Sequence, residues 1–325
     1  MIRVHLDQAA SILQAGGVVI FPTETVYGIG ANACSNEACR KIYQYKGRPP
    51  DNPLIVHVYS NEELAKYAKL SLEASKVIEA FTPGPLTIIA QRIDADVLPE
   101  NREPSAIADV PCCGKKTIAL RIPSHSIARS LLRMCKLPIA APSANVSGKL
   151  SPSDFDMARY NFANTQLPML DGGVCEFGIE STIVSFIDEP RILRTGYISA
   201  EDIYKRTGVD VSVGLSRGGT PGSGYKHYTP EVDLIVYARI DDIISSLGKR
   251  SGIIAFEQDK QKLENMHIPQ ECIIRFVANN ADYSRRLYQL LHECRHMENI
   301  FAPYVKDSQF GLQERLEKAM TDAFL

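Results

Sequence analysis

Apolar and polar residues alternate along the chain with two different spacings. Short apolar runs that end at glycine or proline, such as 18–21 before Pro22, predict buried strands. Longer segments with apolar residues three or four positions apart predict amphipathic helices. Because the two kinds of segment follow one another along most of the chain, the pattern predicts an α/β fold. Strands are expected at 18–21, 54–58, 86–92, 117–121, 139–141, 181–187, 191–194, 234–237, 252–256 and 273–277, and helices at 7–15, 35–45, 71–81, 126–134, 199–207, 282–297 and 314–324.

One segment interrupts this pattern and predicts a division of the chain. Residues 216–230 contain four glycines and two prolines, so they cannot form a regular helix or strand. The elements predicted after this segment are fewer than those before it. We therefore expect a larger domain over 1–211, a Gly/Pro-rich linker over 212–231 and a small α/β domain over 232–325.

Composition and charge narrow the classes of protein to which the chain can belong. The 325 residues suffice for about two domains, and 36 basic against 38 acidic residues give a net charge of −2. This balance argues against a strongly basic nucleic-acid-binding surface but allows a local basic cleft. No apolar run approaches the roughly 20 residues of a membrane helix, and the N-terminus lacks an apolar signal core. The eight cysteines form no C-x-x-C pair, so we expect reduced thiols, no structural metal and a cytoplasmic location.

Two polar segments adjoin predicted strands, at the positions where open α/β sheets bind ligands. Segment 22–28 places two threonines and Glu24 directly after a buried strand. It suits a hydroxyl-lined substrate wall, although a capped turn has the same composition. Segment 138–148 ends a strand in small residues that can form hydrogen bonds. Its Ser143 lacks the G-x-S-x-G surroundings of a nucleophile elbow, so this segment favours ligand binding over covalent catalysis.

Basic residues in two other segments suit a phosphate ligand. Lys46 and Arg48 lie two positions apart in a loop that contains three prolines, and the following strand presents His57. An arginine fork beside a lysine point charge suits a polyphosphate, whereas a solvated basic turn is the simpler alternative. Arg194 leaves a predicted strand next to a glycine and is similarly placed for an anion. His57 alone would more often be an ordinary buried histidine with its hydrogen bonds satisfied.

The recognised nucleotide-binding motifs are absent, because the sequence contains neither a P-loop nor a G-x-G-x-x-G segment after a strand. A nucleotide site in this chain must therefore be of another kind. Taken together, the polar segments resemble the YrdC family. The segment 222–230, followed by a small α/β domain, resembles the long, two-domain members of that family. The resemblance rests on residues 22–28, 46–57, 83–86, 117–123, 141–148 and 178–182.

The resemblance implies a twisted mixed α/β sheet of YrdC type with a large cleft, plus a smaller Rossmann-like C-terminal α/β domain. It implies a nucleotidyltransferase, an L-threonylcarbamoyladenylate synthase. Such an enzyme makes L-threonylcarbamoyl-AMP from L-threonine, bicarbonate and ATP and releases pyrophosphate. The product feeds N6-threonylcarbamoyladenosine modification of tRNA. The implied partners are therefore a downstream threonylcarbamoyl-transferase complex and RNA or tRNA in the cleft, with no membrane.

The motif match also implies a set of site residues, none of which is a covalent nucleophile. Lys46, Arg48 and Arg194 would stabilise charge, and Mg²⁺ would be held by the phosphates of ATP and by water rather than by side chains. The linker residues Tyr225, His227 and Tyr228 would close over the nucleotide as a lid. ATP would contact Lys46, Arg48, Asn52, Thr117, Ser143, Asn145, Ser151, Arg194 and those three lid residues, and threonine would contact Thr25, His57, Arg121, Ala141 and Ser181.

A second hypothesis belongs to another class of protein, a double-stranded-RNA-binding or tRNA-binding module without synthase activity. The same cations on a concave face could follow a phosphate backbone. The threonines, His57 and small residues at the strand ends are harder to explain in that way. Product formation with threonine and the salt dependence of RNA binding distinguish the two hypotheses.

Overall fold

Two separate sheets form the framework of the protein, in a computed structural model that describes residues 2–93, 106–214, 228–306 and 311–321. Twelve of the described strands form a mixed sheet, and four more form a parallel sheet. The large sheet consists of β1 (Ile2–Arg3), β2 (Val19–Phe21), β3 (Gly28–Asn32), β4 (Ile55–His57), β5 (Ala68–Lys69), β6 (Leu86–Arg92), β7 (Thr117–Arg121), β8 (Ile139–Ala140), β9 (Pro168–Met169), β10 (Thr182–Ser185), β11 (Arg191–Arg194) and β12 (Ser212–Val213). The small sheet consists of β13 (Asp233–Tyr237), β14 (Ser251–Phe256), β15 (Ile273–Val277) and β16 (Asn299–Pro303).

Helices connect many of these strands in the described part of the chain. Two are short 3₁₀ helices in the second half, Ile240–Ser246 and Glu257–Asp259. The α-helices are α1 (Leu6–Gln14), α2 (Asn36–Lys46), α3 (Asn61–Leu64), α4 (Leu72–Phe81), α5 (Asp109–Cys112), α6 (Ser126–Cys135), α7 (Phe155–Asn161), α8 (Ala200–Thr207), α9 (Lys260–Glu264), α10 (Asn280–Glu293) and α11 (Leu312–Ala319). None of the described helices is long and apolar enough to cross a bilayer.

The order of strands shows why the large sheet is mixed. It runs β1-β9-β2-β3-β8-β4-β7-β6-β10-β11-β12, with β5 added to β6. The pairs β4–β7 and β6–β10 are parallel, whereas β6–β7 and β10–β11 are antiparallel. The small sheet runs β13-β16-β14-β15 and is parallel throughout, as in doubly wound α/β domains. The predicted fold class, a mixed α/β sheet with a smaller Rossmann-like domain, is confirmed.

Local sequence signals account for the bounds of helix α2, which leads into the Arg48 loop that is predicted to bind phosphate. The Ser35 hydroxyl accepts a hydrogen bond from the Ala38 amide at 3.2 Å and caps the start of the helix. Gly47 ends it in the left-handed conformation, with φ of +57°. The chain then turns sharply into the loop that carries Arg48. A cap and a glycine stop therefore fix where Lys46 and Arg48 lie.

The sequence pattern missed the two-residue strands β1, β5, β9 and β12 and two longer strands, β3 and β16. Strand β3 contains Gly28 and Gly30, and glycine disfavours strands, so the pattern gave no signal there. The structure explains Gly30, because a Cβ at that position would lie 2.6 Å from the ring of Phe21 and 2.7 Å from the side chain of Ile139. Strand β16 ends at Pro303 and was also missed, although it is central in the small sheet, between β13 and β14.

The two sheets belong to units that share a hydrophobic cluster. Side chains of α10 and α11, among them Leu287 and Leu316, pack in one buried group with residues of the large-sheet unit. The members contributed by the large-sheet unit are Val26, Leu150, Met157 and Ile179. The small domain is therefore docked on the large one through a buried apolar interface.

The predicted domain limits remain a prediction. Strand β12, at 212–213, pairs with β11, so the large sheet reaches two residues into the segment predicted as linker. Residues 215–227 of that segment lie outside the described residues. At its other end, Tyr228 is buried, and the Thr229 amide donates to the Gly148 carbonyl at 2.9 Å.

Candidate active site

One edge of the large sheet brings together the predicted site segments. Strands β4, β7 and β11 end at this edge with His57, Arg121 and Arg194, while β6 and β10 begin there. The pairing register sets His57 beside Arg121 on neighbouring strands. The turn after β8 reaches the same place, because Ser143 forms a bridge with Gly28 at the start of β3. The result is a cleft with about 640 Å³ of empty space, part of it open to solvent.

A buried ion pair holds the arginine of this cleft. Arg121 Nη2 donates to Glu24 Oε1 at 2.6 Å and to the Thr25 hydroxyl at 2.8 Å, and both charged side chains are almost fully buried. Burial would raise the pKa of the Glu24 carboxyl, but the charge and hydrogen bonds around it, chiefly from Arg121, lower it below its usual range. The Arg121 Nε atom has no hydrogen-bond partner among the described residues. The guanidinium is thus fixed in place with donor capacity left over.

His57 is neutral in this cleft. Its side chain is 3% exposed, and its Nδ1 atom has no hydrogen-bond partner among the described residues. Burial, with a further contribution from the charge of Arg121, lowers the pKa of the His57 imidazole from 6.5 to about 3. A neutral imidazole can either donate or accept a hydrogen bond. His57 is therefore suited to contact a polar group of a ligand rather than to supply charge.

The lowered pKa of His57 predicts a pH dependence of stability. Between pH 6.5 and about 3 the unfolded chain binds a proton at this position that the folded chain does not. The free energy of unfolding should therefore fall as the pH falls, by up to about 1.4 kcal/mol per pH unit from this group. Urea denaturation at several pH values should show a shallower slope for His57→Gln than for the unmodified protein. Equal slopes would mean that His57 titrates normally.

Lys46 at the end of α2 and Arg48 just after it both donate hydrogen bonds to carbonyl oxygens. Arg48 donates from Nε to the Asn52 carbonyl at 2.9 Å, and from Nη2 to Asn52 Oδ1 at 2.5 Å and to the Pro53 carbonyl at 2.7 Å. Burial lowers the pKa of the Arg48 guanidinium to about 10, so it stays charged at neutral pH. Lys46 lies deeper, and its Nζ donates to the carbonyls of Ser143 and Asn145 at 2.6 and 2.5 Å. Lys46 therefore connects the Arg48 segment with the Ser143 loop.

The Ser143 loop is fixed from within. The Ser143 hydroxyl donates to Asn145 Oδ1 at 2.5 Å, and Asn145 Nδ2 donates to the carbonyls of Val146 and Lys149, both at 2.9 Å. Both side chains line the cleft. Ser143 bonds to an amide rather than to a histidine, so it lacks the base that a nucleophilic serine needs. The arrangement supports ligand binding, as predicted for this segment.

Arg194 is anchored to the start of β10. Its Nε and Nη2 atoms donate to the Ser181 carbonyl at 3.0 and 2.9 Å, and Nη2 also lies 3.0 Å from the Ser181 hydroxyl. That hydroxyl forms a further bond of 2.7 Å with the Thr87 hydroxyl. Arg194 thus presents a fixed positive charge to the cleft.

The sequence interpretation missed three buried side chains at this site. Glu180 lines the cleft and accepts hydrogen bonds from Ser151 at 2.5 Å, from Tyr288 at 2.9 Å and from Arg315 at 3.3 Å. Tyr288 and Arg315 belong to the second domain. Arg121 is likewise held by Glu24, an acid of segment 22–28 for which the sequence predicted no specific role. The sequence signal for Glu180 was an acid directly beside the predicted site residue Ser181, whereas nothing in the sequence pointed to Arg315.

Most predicted site residues meet in this cleft. Thr25, Lys46, Asn52 and Ser181 lie directly behind the lining, and each bonds to a residue that lines it. The predicted residues that line the cleft are Arg48, His57, Arg121, Ala141, Ser143, Asn145, Ser151, Arg194 and Tyr228.

Thr117 departs from this arrangement. It begins β7 opposite Gln91, whereas Arg121 ends the same strand, so the two residues are about 13 Å apart along it. Thr117 is not among the residues that line the cleft.

Tyr225 and His227, two of the three predicted lid residues, lie outside the described residues. The third, Tyr228, is 4% exposed and stacks on Tyr288 at 5.4 Å between ring centroids.

Comparison with family models decides the family. A model for Sua5, YciO and YrdC proteins, described as "Telomere recombination", matches residues 11–196. A second model, described as "Threonylcarbamoyl-AMP synthase, C-terminal domain", matches residues 198–321. The chain belongs to the Sua5/YciO/YrdC family. Both predicted parts of the resemblance, the YrdC-like domain and the long two-domain form, are thereby confirmed.

Individual relatives agree with this assignment. The threonylcarbamoyl-AMP synthase of Pyrococcus abyssi is 37% identical over 96% of this chain and 92% of its own length. That of Bacillus subtilis is 39% identical over 78% of this chain and 75% of its own length. The crystal structure of P. abyssi Sua5 complexed with L-threonine superposes with a TM-score of 0.84 at 31% identity, covering 98% of this chain and 96% of that one. These matches confirm the predicted enzyme class, a nucleotidyltransferase that forms threonylcarbamoyl-AMP, and they do not favour the RNA-binding alternative.

Proposed function

We propose that this cleft joins L-threonine, bicarbonate and ATP into L-threonylcarbamoyl-AMP and releases pyrophosphate. Membership of the family supports the reaction and threonine as a substrate. The observation that carries our assignment of positions is that one cleft contains three fixed arginines and a neutral histidine, all at one edge of the sheet. Arg121, Arg48 and Arg194 supply positive charge for a carboxylate and a triphosphate, and His57 supplies a polar contact without charge.

We place threonine beside Arg121. A guanidinium that is already oriented by Glu24 and Thr25 can receive the amino-acid carboxylate without further ordering. His57 is next to it in the register and leaves Nδ1 for the hydroxyl of threonine. Ala141 keeps this part of the wall small. We place ATP along Arg48, Ser143, Asn145, Ser151 and Arg194.

The reaction requires no covalent bond to the protein. The amine of threonine and bicarbonate condense to a carbamate with loss of water. A carbamate oxygen then forms a bond to the α-phosphorus of ATP, and the bond from that phosphorus to the bridging oxygen breaks as pyrophosphate leaves. Catalysis on this account comes from positioning and from fixed positive charge around the phosphates, and positioning alone can supply about 7–11 kcal/mol.

The described acidic side chains of the site are already paired with arginines, which fits a magnesium ion that arrives with ATP and is not held by the protein. Glu24 and Glu180 are each ion-paired with an arginine, so we propose that phosphate oxygens and water hold the ion. The ion would neutralise part of the triphosphate charge when bound. Arg48 and Arg194, which line the cleft, would complement the charge that remains.

The chemistry of the product indicates which reaction must follow. A mixed anhydride of a carbamate and a phosphate is a reactive acyl donor, so we propose that a threonylcarbamoyl-transferase complex consumes it to modify tRNA. We also propose that tRNA or another RNA can contact the cleft and that the reaction takes place in the cytoplasm. RNA binding measured at several salt concentrations tests whether RNA contacts the cations of the cleft. Synthesis measured in parallel, with RNA present, tests whether RNA competes with ATP for those cations.

Arg48→Ala should raise the KM for ATP at least about tenfold while the protein stays folded. Arg48 is half-buried and bonds to Asn52 and Pro53 within its own loop, so its loss removes a charge that serves the ligand. Arg40→Ala is the matched control, since Arg40 is exposed on α2. Pyrophosphate release should be measured against ATP concentration. An unchanged KM in Arg48→Ala would contradict the assignment of the ATP site.

Pyrophosphate release also tests the proposed function as a whole. Release should require threonine and bicarbonate together, because ATP is attacked only by the carbamate that they form. Omission of either substrate should reduce release to the background rate of ATP hydrolysis. Release that continues without threonine would favour a simple ATP hydrolase and would count against the proposal.

A further inference from the structure

The second domain contributes one fully buried arginine that lies behind the wall of the cleft, against Glu180. Arg315 of α11 is 0% exposed, and its Nε atom donates to Glu180 Oε2 at 3.3 Å. Its Nη1 atom donates to the Thr195 carbonyl at 2.5 Å and lies 3.3 Å from Glu314 Oε2. Thr195 directly follows Arg194. Arg315 therefore contacts both of the strand-end segments that carry cleft residues on this side.

Glu180 is the link between Arg315 and the cleft. Its carboxylate lines the cleft and accepts the Ser151 hydroxyl at 2.5 Å through Oε1. Through Oε2 it accepts Tyr288 at 2.9 Å, so two side chains of the second domain hold one side of the carboxylate. A carboxylate buried to this degree without a cation is strongly unfavourable. Burial would raise the pKa of the Glu180 carboxyl, but the charges of Arg315 and, to a lesser extent, Arg194 lower it, so Arg315 is the main cation that keeps Glu180 ionised and oriented.

Two glycines allow the second domain to approach the segments that carry Glu180 and Thr195 closely. Gly178, two residues before Glu180, has φ of +68°, and a Cβ there would lie 1.7 Å from the Arg285 carbonyl of α10. Gly311, at the start of α11, has φ of +63°, and a Cβ there would lie 2.9 Å from the Thr195 carbonyl. Only glycine permits both the conformation and the approach. The second domain is thus held against the Glu180 and Thr195 segments at two points besides the side-chain contacts.

We infer that Arg315 is a positioning residue of the synthase: it neutralises Glu180 and, through Glu180, holds Ser151 for the nucleotide. The inference rests on the proposed ATP site. The triphosphate would lie near Arg194 and Ser151, so a Glu180 charge left without Arg315 would repel it across the low-dielectric wall of the cleft. The second domain on this account completes the nucleotide side of the site and leaves the threonine side, around Arg121 and His57, unaffected.

Arg315→Met tests this inference through a split between two Michaelis constants. The KM for ATP should rise by about tenfold or more, and the KM for threonine should stay within about twofold of its value in the unmodified protein. Arg275→Met is the matched control, because Arg275 pairs with Glu293 inside the second domain at 2.5 Å and should leave both constants unchanged. A merely structural role would raise both constants together in Arg315→Met.

The double variant Arg315→Met with Glu180→Gln provides the rescue. Glutamine keeps an oxygen for Ser151 and Tyr288 but carries no charge, so most of the loss in ATP affinity should be recovered. If Arg315→Met does not fold, as judged by circular dichroism, Arg315→Gln replaces it with the same expected result, because the charge is again lost, whereas Arg315→Lys should raise the KM for ATP by less than about threefold, because the charge is retained.

An unchanged KM for ATP in the charge-removing variant of Arg315 would overturn the inference. A rise in the KM for ATP that the added Glu180→Gln substitution does not reduce would also overturn it. Failure of the unmodified protein to use ATP would instead refute the proposed function.

Discussion

Replacing Arg121 by methionine should reduce threonine-dependent synthesis by about a thousandfold or more and should also destabilise the fold. The first effect follows because the guanidinium is the proposed partner of the threonine carboxylate, and a charge-assisted fork positions the substrate as well as binding it. The second follows because Glu24, 1% exposed, would be left as a buried carboxylate without its cation. Breaking such a pair costs about 3–5 kcal/mol. Urea denaturation and the rate of product formation measure the two effects.

A double variant separates the two effects of Arg121→Met. Adding Glu24→Gln removes the uncompensated charge, so stability should recover largely while synthesis stays low. Thr25 loses only one of its hydrogen bonds in this background, because its hydroxyl also contacts the Thr23 hydroxyl at 2.9 Å. If the stable double variant makes product at the rate of the unmodified protein, Arg121 does not hold threonine.

Valine should be a far poorer substrate than threonine, by about 10³-fold or more, while serine should be poorer by only about 10–200-fold. Valine matches threonine in shape but lacks the hydroxyl, and a site that hydrogen-bonds a hydroxyl rejects such an isostere strongly. The hydroxyls of Thr25 and Ser181 are engaged by Arg121 and Arg194, whereas His57 Nδ1 has no partner among the described residues. Valine would leave that buried atom unpaired. Serine loses only a methyl contact.

The His57→Leu variant is the control for this selectivity. Removal of the imidazole should narrow the ratio of threonine to valine turnover, since the polar group that discriminates between them is gone. The same variant should leave the KM for ATP nearly unchanged, because Arg48 and Arg194 are untouched. Comparable turnover of valine and threonine by the unmodified protein would contradict the placement of His57.

The sequence alone predicted the fold class because apolar periodicity marked most strands and helices. It failed where packing overrides local preference. Strand β3 is glycine-rich because Gly30 faces the ring of Phe21 too closely for any side chain. Strand β16 ends in proline, yet pairs on both sides in the centre of the small sheet. Pairing partners distant in sequence, rather than local propensity, decide both elements.

The candidate site was predictable in its residue types but not in its supporting contacts. Arg194 could be named because it ends an apolar run beside polar residues, whereas Arg121 and His57 were named as ligands through the family resemblance. That Lys46 reaches the carbonyls of Ser143 and Asn145, about a hundred positions along the chain, could not be deduced from spacing. Arg315 was unpredictable for the same reason, since α11 reads as an ordinary amphipathic helix.

The most direct test of the account is detection of the product by mass spectrometry. The unmodified protein is incubated with ATP, L-threonine, magnesium and carbon-13-labelled bicarbonate, and the mixture is analysed before the product hydrolyses. The account predicts threonylcarbamoyl-AMP that carries the label, formed together with pyrophosphate and absent when threonine is omitted or when the Arg121→Met, Glu24→Gln double variant is used. ATP consumption without any labelled threonylcarbamoyl-AMP, under conditions in which the protein is folded and binds ATP, would contradict it.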